Sequence, residues 1–557
     1  MSTTTGPPRD ANLAAILGES TAESKWLRWV DQIATHAGDM VNPILVKETR
    51  QALKSRQFVV TFSLLLFTAI AWTIAGTLLL MPQIYFLPSG PTLLTGYYLV
   101  LAVPMLLVVP LAAYRSLEGE IDDGTLELLS VTSLSPRQIV LGKLGSAALQ
   151  MMMYFVALFP CVAYAYTLRG VDLPTLAILM GLLVVFGLTQ TVVAVFFAPM
   201  ARARSSQVST LLVVMALLLG GEFGAGTIAI NLINYGNPLN AQETGFFIVA
   251  VALFTVSIAM VLLIATAAQL TPESENRSTS IRVMLMVHQL IIVGLAAYAP
   301  ALDFDLALAT VWFLAAHLIV TWIVCGSLMA AEASTMTPRI RRELPGTFLG
   351  RLFLIWFTPG PATGLVFAMA NLAIGLLLMN DLFVRVLNMD GSPFGVGIRQ
   401  KTLQTTLLLL MSYLCIALVG VRVIVALLRV RNTVRVGVGL AALAVTLLLM
   451  TLVPYSIGLH LSDYRQYSYS LWQISNWVWT LGQALDNALP IEAFWSVLIL
   501  GGSAFFGHLL LMGRTVLPQR LVTPERVLEE RRRMEKVSRE EPVPIDPLGL
   551  GTSADAV

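Results

Sequence analysis

The residues of this chain that could do chemistry are concentrated in one acidic segment from Glu118 to Lys143, which reads "EGEIDDGTLELLSVTSLSPRQIVLGK". Closely spaced carboxylates can bind a metal ion, exchange protons with a substrate or contact a basic partner. The pair Asp122-Asp123 precedes a glycine, which is typical of a turn, and no further acidic motif accompanies it. We therefore interpret the segment as a folded contact surface and not as a metal or catalytic site.

Metal and nucleotide chemistry have no other support in the sequence. The five histidines are scattered, and without CxxC spacing we interpret the three cysteines, Cys161, Cys325 and Cys415, as small apolar residues. The motif GxxxxGK[ST] does not occur, because "VLGKLG" around Lys143 lacks both the first glycine spacing and the final Ser or Thr. We expect no catalytic residue, metal or cofactor in this chain.

The composition is that of a membrane protein. Hydrophobic residues make up 56% of the 557 and charged residues only 12%, and the mean hydropathy is +0.77. A helix of about 20 apolar residues crosses the hydrocarbon core of a bilayer. The sequence therefore predicts an all-α polytopic membrane protein with about twelve transmembrane helices, at 58–81, 92–114, 144–167, 173–199, 208–232, 245–268, 283–302, 306–331, 352–379, 403–428, 436–461 and 491–513.

The distribution of lysine and arginine predicts the orientation of these spans. With the N-terminus in the cytoplasm, all but five of the 35 basic residues fall in cytoplasmic segments or, for Arg422, near the cytoplasmic end of a span, as the positive-inside rule requires. Both termini are then cytoplasmic, loops 168–172, 233–244 and 462–490 lie outside, and the expected location is the bacterial cytoplasmic (inner) membrane. The five basic residues on the outside are Arg169, Arg385, Arg399, Lys401 and Arg465.

Two helices are predicted before the first span. In "SKWLRWVDQIATHAGDMV" the apolar residues share one face, which suits either a helix in the membrane interface or one packed on a neighbouring subunit. The next segment begins with Asn42, which can cap a helix, and Pro43, which suits the first helical position. Together with Lys47, Glu48 and Arg50, these residues predict a short elbow-like helix on the cytoplasmic surface.

The acidic segment joins the second and third predicted spans on the cytoplasmic side. Gly124 marks a turn, and the leucines that follow begin a short amphipathic turn. Ser135 can cap another helix, with Pro136 at the first helical position and Gln138 three residues after the cap. A plain connector needs only a handful of residues. We therefore expect a folded loop that presents acidic and apolar residues to a soluble partner.

These two segments resemble the permease subunits of ABC transporters, in the ABC-2-type (type-2 export) family. The resemblance lies in "NPILVKETRQ" before the first span and in ten residues of the acidic segment, Glu118, Glu120, Gly124, Thr125, Leu126, Glu127, Leu129, Pro136, Gly142 and Lys143. It implies that the region around "GTLE" acts as a coupling helix against an ABC-type ATPase subunit, and that the chain exports an unidentified substrate. A second permease copy, in a homo- or heterodimer, is a further candidate partner, and no nucleic acid is expected.

The resemblance covers the first six spans, and a domain organisation follows from it. Residues 338–348 show no copy of the coupling loop, so an internal repeat is left open. The predicted regions are a cytoplasmic N-terminal region at 1–57, a six-span permease module at 58–268 with its coupling loop at 115–143, a second six-span region at 269–513, and a charged cytoplasmic helix with a disordered tail at 514–557.

Four further features of the sequence suggest local structure. Glu222, in "GGEFGAG", either lines the transport pathway or belongs to a re-entrant segment broken at its glycines. The prolines and glycines of "FTPGPATG", inside the predicted span 352–379, predict a kink or a re-entrant segment. Glu332 and Arg422, near cytoplasmic span ends, are expected to extend toward water. The aromatic residues of 462–490 predict an interfacial belt or a re-entrant helix, with substrate binding as the lesser alternative.

Two other classes of membrane protein are compatible with twelve spans. The commonest fold of secondary transporters has a Gly- and Arg-rich loop between its second and third spans, whereas this loop is acidic. A membrane-embedded transferase needs a cluster of acidic, His or Arg residues on one face, and the sequence shows none. A secondary transporter and a transferase remain the alternatives to an exporter.

Overall fold

The computed structural model describes the chain in the ranges 43–125, 134–201, 204–272, 275–333, 336–344, 346–389, 396–430, 436–464, 468–516 and 525–539. Within these ranges all regular secondary structure is helical, and twelve helices are long and apolar enough to cross a membrane. The prediction of an all-α, multi-pass membrane protein is confirmed. The amphipathic stretch near 25–40, Asn42 and the tail after 539 lie outside the described residues.

The chain folds as two compact units, and the boundary between them falls after Thr271. From Pro43 onward, the described residues of the first unit form one short helix followed by six long ones. These are α1 (Pro43–Leu53), α2 (Arg56–Leu79), α3 (Gly90–Asp122, with a π-helical stretch at Val103–Val108), α4 (Pro136–Thr167), α5 (Leu173–Phe197), α6 (Arg204–Tyr235) and α7 (Ala241–Leu270).

Helix α3 lies at the centre of the first unit. Leu93, Tyr97, Leu101 and Met105 recur every four residues along one face, and each is at most 1% exposed. They pack in one core with residues of α4, including Tyr154. Because residues four apart share a face of a helix, this pattern holds α3 against its neighbours along its length. The end of α3, with the acidic residues of the predicted contact surface, is thereby placed beside α4.

The part of the second unit that the structure describes contains six long helices and several short ones. The elements are α8 (Thr279–Tyr298), α9 (Phe304–Ala330), α10 (Pro338–Glu343), α11 (Phe348–Leu354), α12 (Pro361–Leu387), α13 (Val396–Arg429), α14 (Val438–Leu461), α15 (Trp477–Leu485), α16 (Ile491–Val516) and α17 (Glu525–Arg539). The described spans agree with the predicted ones to within a few residues at most ends, except for the ninth.

The ninth span begins later than the sequence suggested. We expected a crossing at 352–379 with "FTPGPATG" inside it, but the long helix begins at Pro361 and the preceding residues Ile355–Phe357 form a single 3₁₀ turn. Gly360 has φ of +145°, which ends any helical path into the span. Proline lacks an amide hydrogen and suits the first helical position, so Pro361 starts the helix and does not kink it.

The segment between α14 and α16 contains a helix that is too short to cross a bilayer. Helix α15 has nine residues, and a span needs about 20. Asn476 caps it by accepting a hydrogen bond from the backbone of Trp479, at 3.2 Å. Gln473, which is fully buried, donates to the carbonyl of Pro454 at 2.8 Å. The structure therefore shows a short helix packed on its own unit, and the interfacial belt and the re-entrant helix both stay predictions.

Candidate functional site

Helix α1 packs against the N-terminal part of α4 at two glycines. A Cβ atom added at Gly142 would lie 2.7 Å from Cγ2 of Ile44, and one added at Gly145 would lie 2.9 Å from Cδ1 of Leu45. Real Cβ atoms do not approach other carbon atoms so closely, because close-packed interiors leave no such room. Glycine at both positions therefore allows the close approach of these two helices.

Between the two glycines, Lys143 is buried among polar side chains from α1 and α3. Its residue is 1% exposed, and its Nζ atom lies 3.2 Å from Oε1 of Glu48 and 3.0 Å from Oε2 of Glu120. It also donates a hydrogen bond to Oγ of Ser116 at 2.8 Å, and Ser116 donates to Oε2 of Glu48 at 3.1 Å. Lys143 thus has one hydrogen bond, to Ser116, and two carboxylate oxygens within ion-pair distance.

Lys47 completes this cluster at its edge. Its Nζ atom lies 3.3 Å from Oε1 of Glu120, while its side chain is more than half exposed. Two ammonium groups then face two carboxylates, so the cluster is electrically balanced. A buried charge is tolerated only when it is paired in this way. The five residues Lys47, Glu48, Ser116, Glu120 and Lys143, termed here the first junction, connect α1, the end of α3 and the start of α4.

The turn that follows the first junction has a backbone conformation that favours glycine. Gly124 has φ of +68°, a value that favours glycine, as the turn sequence indicated. Thr125 donates to the carbonyl of Glu120 at 3.1 Å, and Glu118 accepts a hydrogen bond from Tyr114 at 3.1 Å. These contacts hold the start of the loop against the end of α3. The remaining candidates of the loop, Leu126, Glu127 and Leu129, lie outside the described residues.

The start of α4 is fixed by the capping box that the sequence predicted. Oγ of Ser135 accepts from the backbone of Gln138 at 3.4 Å, and Oε1 of Gln138 accepts from the backbone of Ser135 at 2.8 Å. Pro136 is the first residue of the helix. Such reciprocal bonds satisfy two backbone donors that a helix start otherwise leaves open. Both ends of the loop are therefore anchored, the start beside the first junction and the end at the cap of α4.

The elbow-like segment forms a helix with one exposed face and one buried face. Pro43 begins α1, and Arg50 is exposed, whereas Glu48 is only 6% exposed and contacts the first junction. The sequence predicted the helix but gave no partner for Glu48, and it did not single out Ser116. A signal was present nonetheless: Lys143 lies inside an apolar helix, where a lysine needs a nearby carboxylate.

Glu222 lies in an unbroken helix. Helix α6 is continuous from Arg204 to Tyr235, so the glycines around Glu222 do not create the re-entrant break that was one of two interpretations. One turn further on, the carbonyl of Ala225 accepts a hydrogen bond from the Tyr98 hydroxyl of α3, at 3.4 Å. Glu222 itself is half-buried. Its role in a transport pathway remains a prediction.

The second unit has a buried cation of its own, Arg282, near the start of α8. It is 0% exposed, and Nη2 lies 2.7 Å from Oε2 of Glu332. Its guanidinium donates to the carbonyls of Trp356 at 2.7 Å and Gly360 at 3.3 Å, and to Oγ1 of Thr363 at 3.2 Å. The amide of Gly360 donates to Glu332 at 2.7 Å. These five residues, termed the second junction, connect α8, the end of α9 and the start of α12.

The expectation that Glu332 and Arg422 extend toward water is therefore wrong. The side chain of Glu332 is 14% exposed because it pairs with Arg282. Arg422 in α13 is 7% exposed, and it donates to the carbonyl of Ala330 at the end of α9, at 3.5 Å. Helix ends carry carbonyl groups without partners inside the helix. A cation near them is held by that local negative charge instead of reaching for solvent.

No protein-family model matches the chain, and neither the curated proteins nor the solved structures contain a significant match. The case for a function therefore rests on the sequence motifs and on the geometry of the first junction.

Proposed function

We propose that this chain is the transmembrane permease subunit of an ATP-driven ABC exporter, and that the segment Glu118–Lys143 docks its ATPase subunit. One observation carries the proposal. The two stretches of sequence that resemble ABC-2-type permeases lie far apart in the chain, yet both contribute to the first junction. Lys47 and Glu48 come from the first stretch, and Glu120 and Lys143 come from the second. Such convergence is expected when both stretches serve one mechanical task.

That task is to make the loop and the spans move together. A docked subunit can transmit a motion only through an element that keeps its shape relative to the spans. The first junction fastens α1, α3 and α4 to one another, because Lys143 of α4 pairs with Glu48 of α1 and with Glu120, which lies on α3 just before the loop. Removing one partner of a buried ion pair costs about 3–5 kcal/mol. The first junction therefore keeps these helices together when a docked subunit moves the loop.

The residues of the segment divide into two roles under this proposal. Lys143 and Glu120 face the interior, so they position the loop without touching a partner. Glu127, Leu126 and Leu129 belong to the part of the loop between the two anchored ends and supply the contact with the ATPase. ATP and Mg²⁺ bind in the ATPase subunit, since this chain has no phosphate-binding loop of the GxxxxGK[ST] type.

The orientation of the chain in the membrane is open to a direct test. In a variant without its three native cysteines, a cysteine at Ser470 should react with a membrane-impermeant maleimide added to intact cells, since the positive-inside rule places 462–490 outside. A cysteine at Thr125 should react only after the cells are opened. The opposite pattern of labelling would reverse the predicted orientation of the spans. The loop would then lie outside, where no cytoplasmic ATPase could bind it.

Coupling is tested with variants of the loop that leave the spans intact. The chain is co-expressed with its candidate ATPase, the phosphate-binding-loop protein encoded nearest to its own gene. We expect Gly124→Val, which forces a branched residue to φ of +68°, and Glu127→Lys to lower the amount of bound ATPase or its ATP turnover at least fivefold.

Matched controls lie in the segments that are predicted to be outside. Gly236 has φ of +73° at the end of α6 with open space around it, as Gly124 has at the end of α3. Glu492 is an exposed carboxylate at the start of α16. Gly236→Val and Glu492→Lys should leave ATPase binding and turnover near the wild-type values. Equal effects of the loop variants and the controls would mean that the loop is only a folded connector.

A further inference from the structure

The last two turns of α13 carry more positive charge than their surroundings balance. Arg422 and Arg429 lie seven residues apart on this helix, and both donate to carbonyls at the end of α9. Arg422 donates to Ala330 at 3.5 Å, and Arg429 donates to Glu332 at 2.6 Å and to Ala331. The end of a helix carries about half a unit of negative charge. Two full positive charges therefore exceed what the carbonyls of α9 supply.

The carboxylate nearest to these arginines is already occupied. The side chain of Glu332 pairs with Arg282 at 2.7 Å and accepts from the amide of Gly360 at 2.7 Å. None of the ion pairs formed by the residues that the structure describes includes Arg422 or Arg429. The first junction has one carboxylate for each cation, whereas this region of the second unit does not.

The helices around the two arginines have no other carboxylate to offer. The sequence contains no aspartate or glutamate between Asp390 and Asp463, an interval that includes all of α13 and α14. The only acidic residue of α16 is Glu492 at its start, about 24 Å along the helix from His508. A buried charge without a counter-charge is costly. The missing negative charge must therefore come from outside these helices.

Two buried nitrogen atoms in this region also lack hydrogen-bond partners. Helix α16 packs closely on α13, since a Cβ atom added at Gly501 would lie 2.7 Å from Cβ of Ser412. His508, further along α16, is 6% exposed and lies within electrostatic range of Arg422, which is 7% exposed. Within the described part of the chain, Nε of Arg422 and Nε2 of His508 have no partner. Such nitrogen atoms are ordinarily satisfied by an acceptor, and an anion supplies one.

We propose that Arg422, Arg429 and His508 form a binding site for a phosphate group, supplied by an anionic lipid headgroup or by a free phosphate ion. A phosphate brings the negative charge that the region lacks, and its oxygen atoms accept hydrogen bonds from Nε of Arg422 and from a protonated Nε2 of His508. Arginine suits this task because its planar guanidinium matches the geometry of phosphate oxygens. The site is separate from the acidic loop and does not depend on the role proposed for that loop.

The surfaces of the two helices suit a phospholipid. Val423 and Leu427 are exposed on α13, and Phe506 and Leu510 are exposed on α16, within a few residues of the proposed site. In a bilayer such side chains contact acyl chains. A phospholipid beside these helices thus has an apolar surface for its chains and cations for its phosphate.

Native mass spectrometry of the purified full chain, titrated with phosphatidylglycerol in detergent, tests the site. We expect Arg422→Gln to weaken the binding of the first lipid by about tenfold, and His508→Gln by about fivefold, because each removes a charge-assisted hydrogen bond. Arg531→Gln on α17 and His460→Gln at the end of α14 are the matched controls, since both residues are exposed. The controls should bind the lipid with affinities within about twofold of the wild type.

Thermal unfolding in lipid-free detergent gives an independent readout. A ligand that binds the folded state raises Tm, so phosphatidylglycerol should raise Tm of the wild type but not of Arg422→Gln. Without lipid, Arg422→Gln should be at least as stable as the wild type, because it removes an unbalanced charge. A variant that is destabilised equally with and without the lipid would show that the protein itself satisfies Arg422, and the inference would be wrong. If Arg422→Gln does not fold, the same conclusion follows, and unchanged lipid binding by His508→Gln would confirm it.

A parallel titration with inorganic phosphate distinguishes the two sources of the phosphate group. A rise in wild-type Tm with phosphatidylglycerol alone identifies a lipid headgroup, and a rise with inorganic phosphate alone identifies a free ion. Either rise supports the site only if it is lost in Arg422→Gln. A wild-type chain that responds to neither compound, or a response that both variants retain, would overturn the inference.

Discussion

Lys143 in the first unit and Arg282 in the second are both buried cations at the ends of spans, but they bind different kinds of partner. Lys143 contacts side chains only, those of Glu48, Ser116 and Glu120. Arg282 contacts one carboxylate and one hydroxyl, and its remaining hydrogen bonds go to backbone carbonyls of the loop before α12. The first junction therefore fastens helices to helices, and the second fastens a loop to helices.

The chemistry of the two cations explains this difference. An ammonium group is a compact charge with three donors, which suits a small cluster of oxygen atoms from several helices. A guanidinium group is a planar fork with five donors, so it can bind successive carbonyls along a turn of backbone. Replacing either cation by the other should consequently lower the free energy of unfolding, although lysine and arginine carry the same charge.

The largest effect is expected at the second junction. Arg282→Met leaves the carboxylate of Glu332 without its cation and leaves loop carbonyls without donors. We expect the free energy of unfolding to fall by about 4 kcal/mol, measured by SDS-induced unfolding in mixed micelles. Arg385→Met is the control, since Arg385 forms an exposed pair with Asp381 on α12 and should cost less than about 1 kcal/mol. Equal losses in both variants would contradict the structural role of Arg282.

Lys143→Met should lower the free energy of unfolding by about 3 kcal/mol, somewhat less than Arg282→Met, because Lys47 still pairs with Glu120.

Double variants distinguish the two junctions further. Adding Glu48→Gln should restore most of the loss at the first junction, since the unpaired charge is then removed as well. Adding Glu332→Gln to Arg282→Met should restore much less, because the loop carbonyls still lack donors. Similar recovery of the free energy of unfolding in the two double variants would show that Arg282 is not held by backbone carbonyls more than Lys143 is.

A conservative exchange isolates the fork geometry of Arg282. Arg282→Lys keeps the charge next to Glu332 but cannot reach the carbonyls of Trp356 and Gly360 at once. We expect a loss of about 2 kcal/mol in the free energy of unfolding, which is the scale of one or two hydrogen bonds to a charged group. Unchanged stability would mean that charge alone matters at the second junction.

The smallest effect is expected where α1 packs on α4. Gly142→Ala places a Cβ atom 2.7 Å from Ile44, and such overpacking costs about 1–2 kcal/mol. Gly119→Ala is the matched control within α3, because no atom lies within 4 Å of the added Cβ, and alanine there should stabilise the helix by up to about 1 kcal/mol. Thermal unfolding followed by tryptophan fluorescence would report both changes. The two stability changes should have opposite signs, and a loss of stability in both variants would contradict the close packing of α1.

The sequence predicted the elements of this fold well because each depends on local signals. Apolar runs predicted the spans, Ser135 with Gln138 predicted the start of α4, and Gly124 predicted the turn that the structure shows there. The ninth span was misplaced because Gly360 and Pro361 were interpreted as a kink inside a helix. Composition alone does not distinguish a kink from a helix start.

The junctions were harder to predict because their partners are distant in the chain. Nothing local links Glu48 with Lys143, which are separated by two spans. Arg282 and Glu332 were missed for a related reason: charges near span ends ordinarily extend toward water, and only the packing of the second unit buries this pair. The residues of the loop were identifiable by their resemblance, whereas the contacts that anchor the loop depend on the fold.

The central claim, that the acidic loop contacts an ATPase, is tested most directly by site-specific photocrosslinking. A photoreactive amino acid is placed at position 127 in the loop, or at position 492 at the start of α16, in a chain co-expressed with its candidate ATPase in intact membranes. The account predicts a crosslinked product of the two chains from position 127 and none from position 492. No product from position 127, or equal yields from both positions, would contradict it.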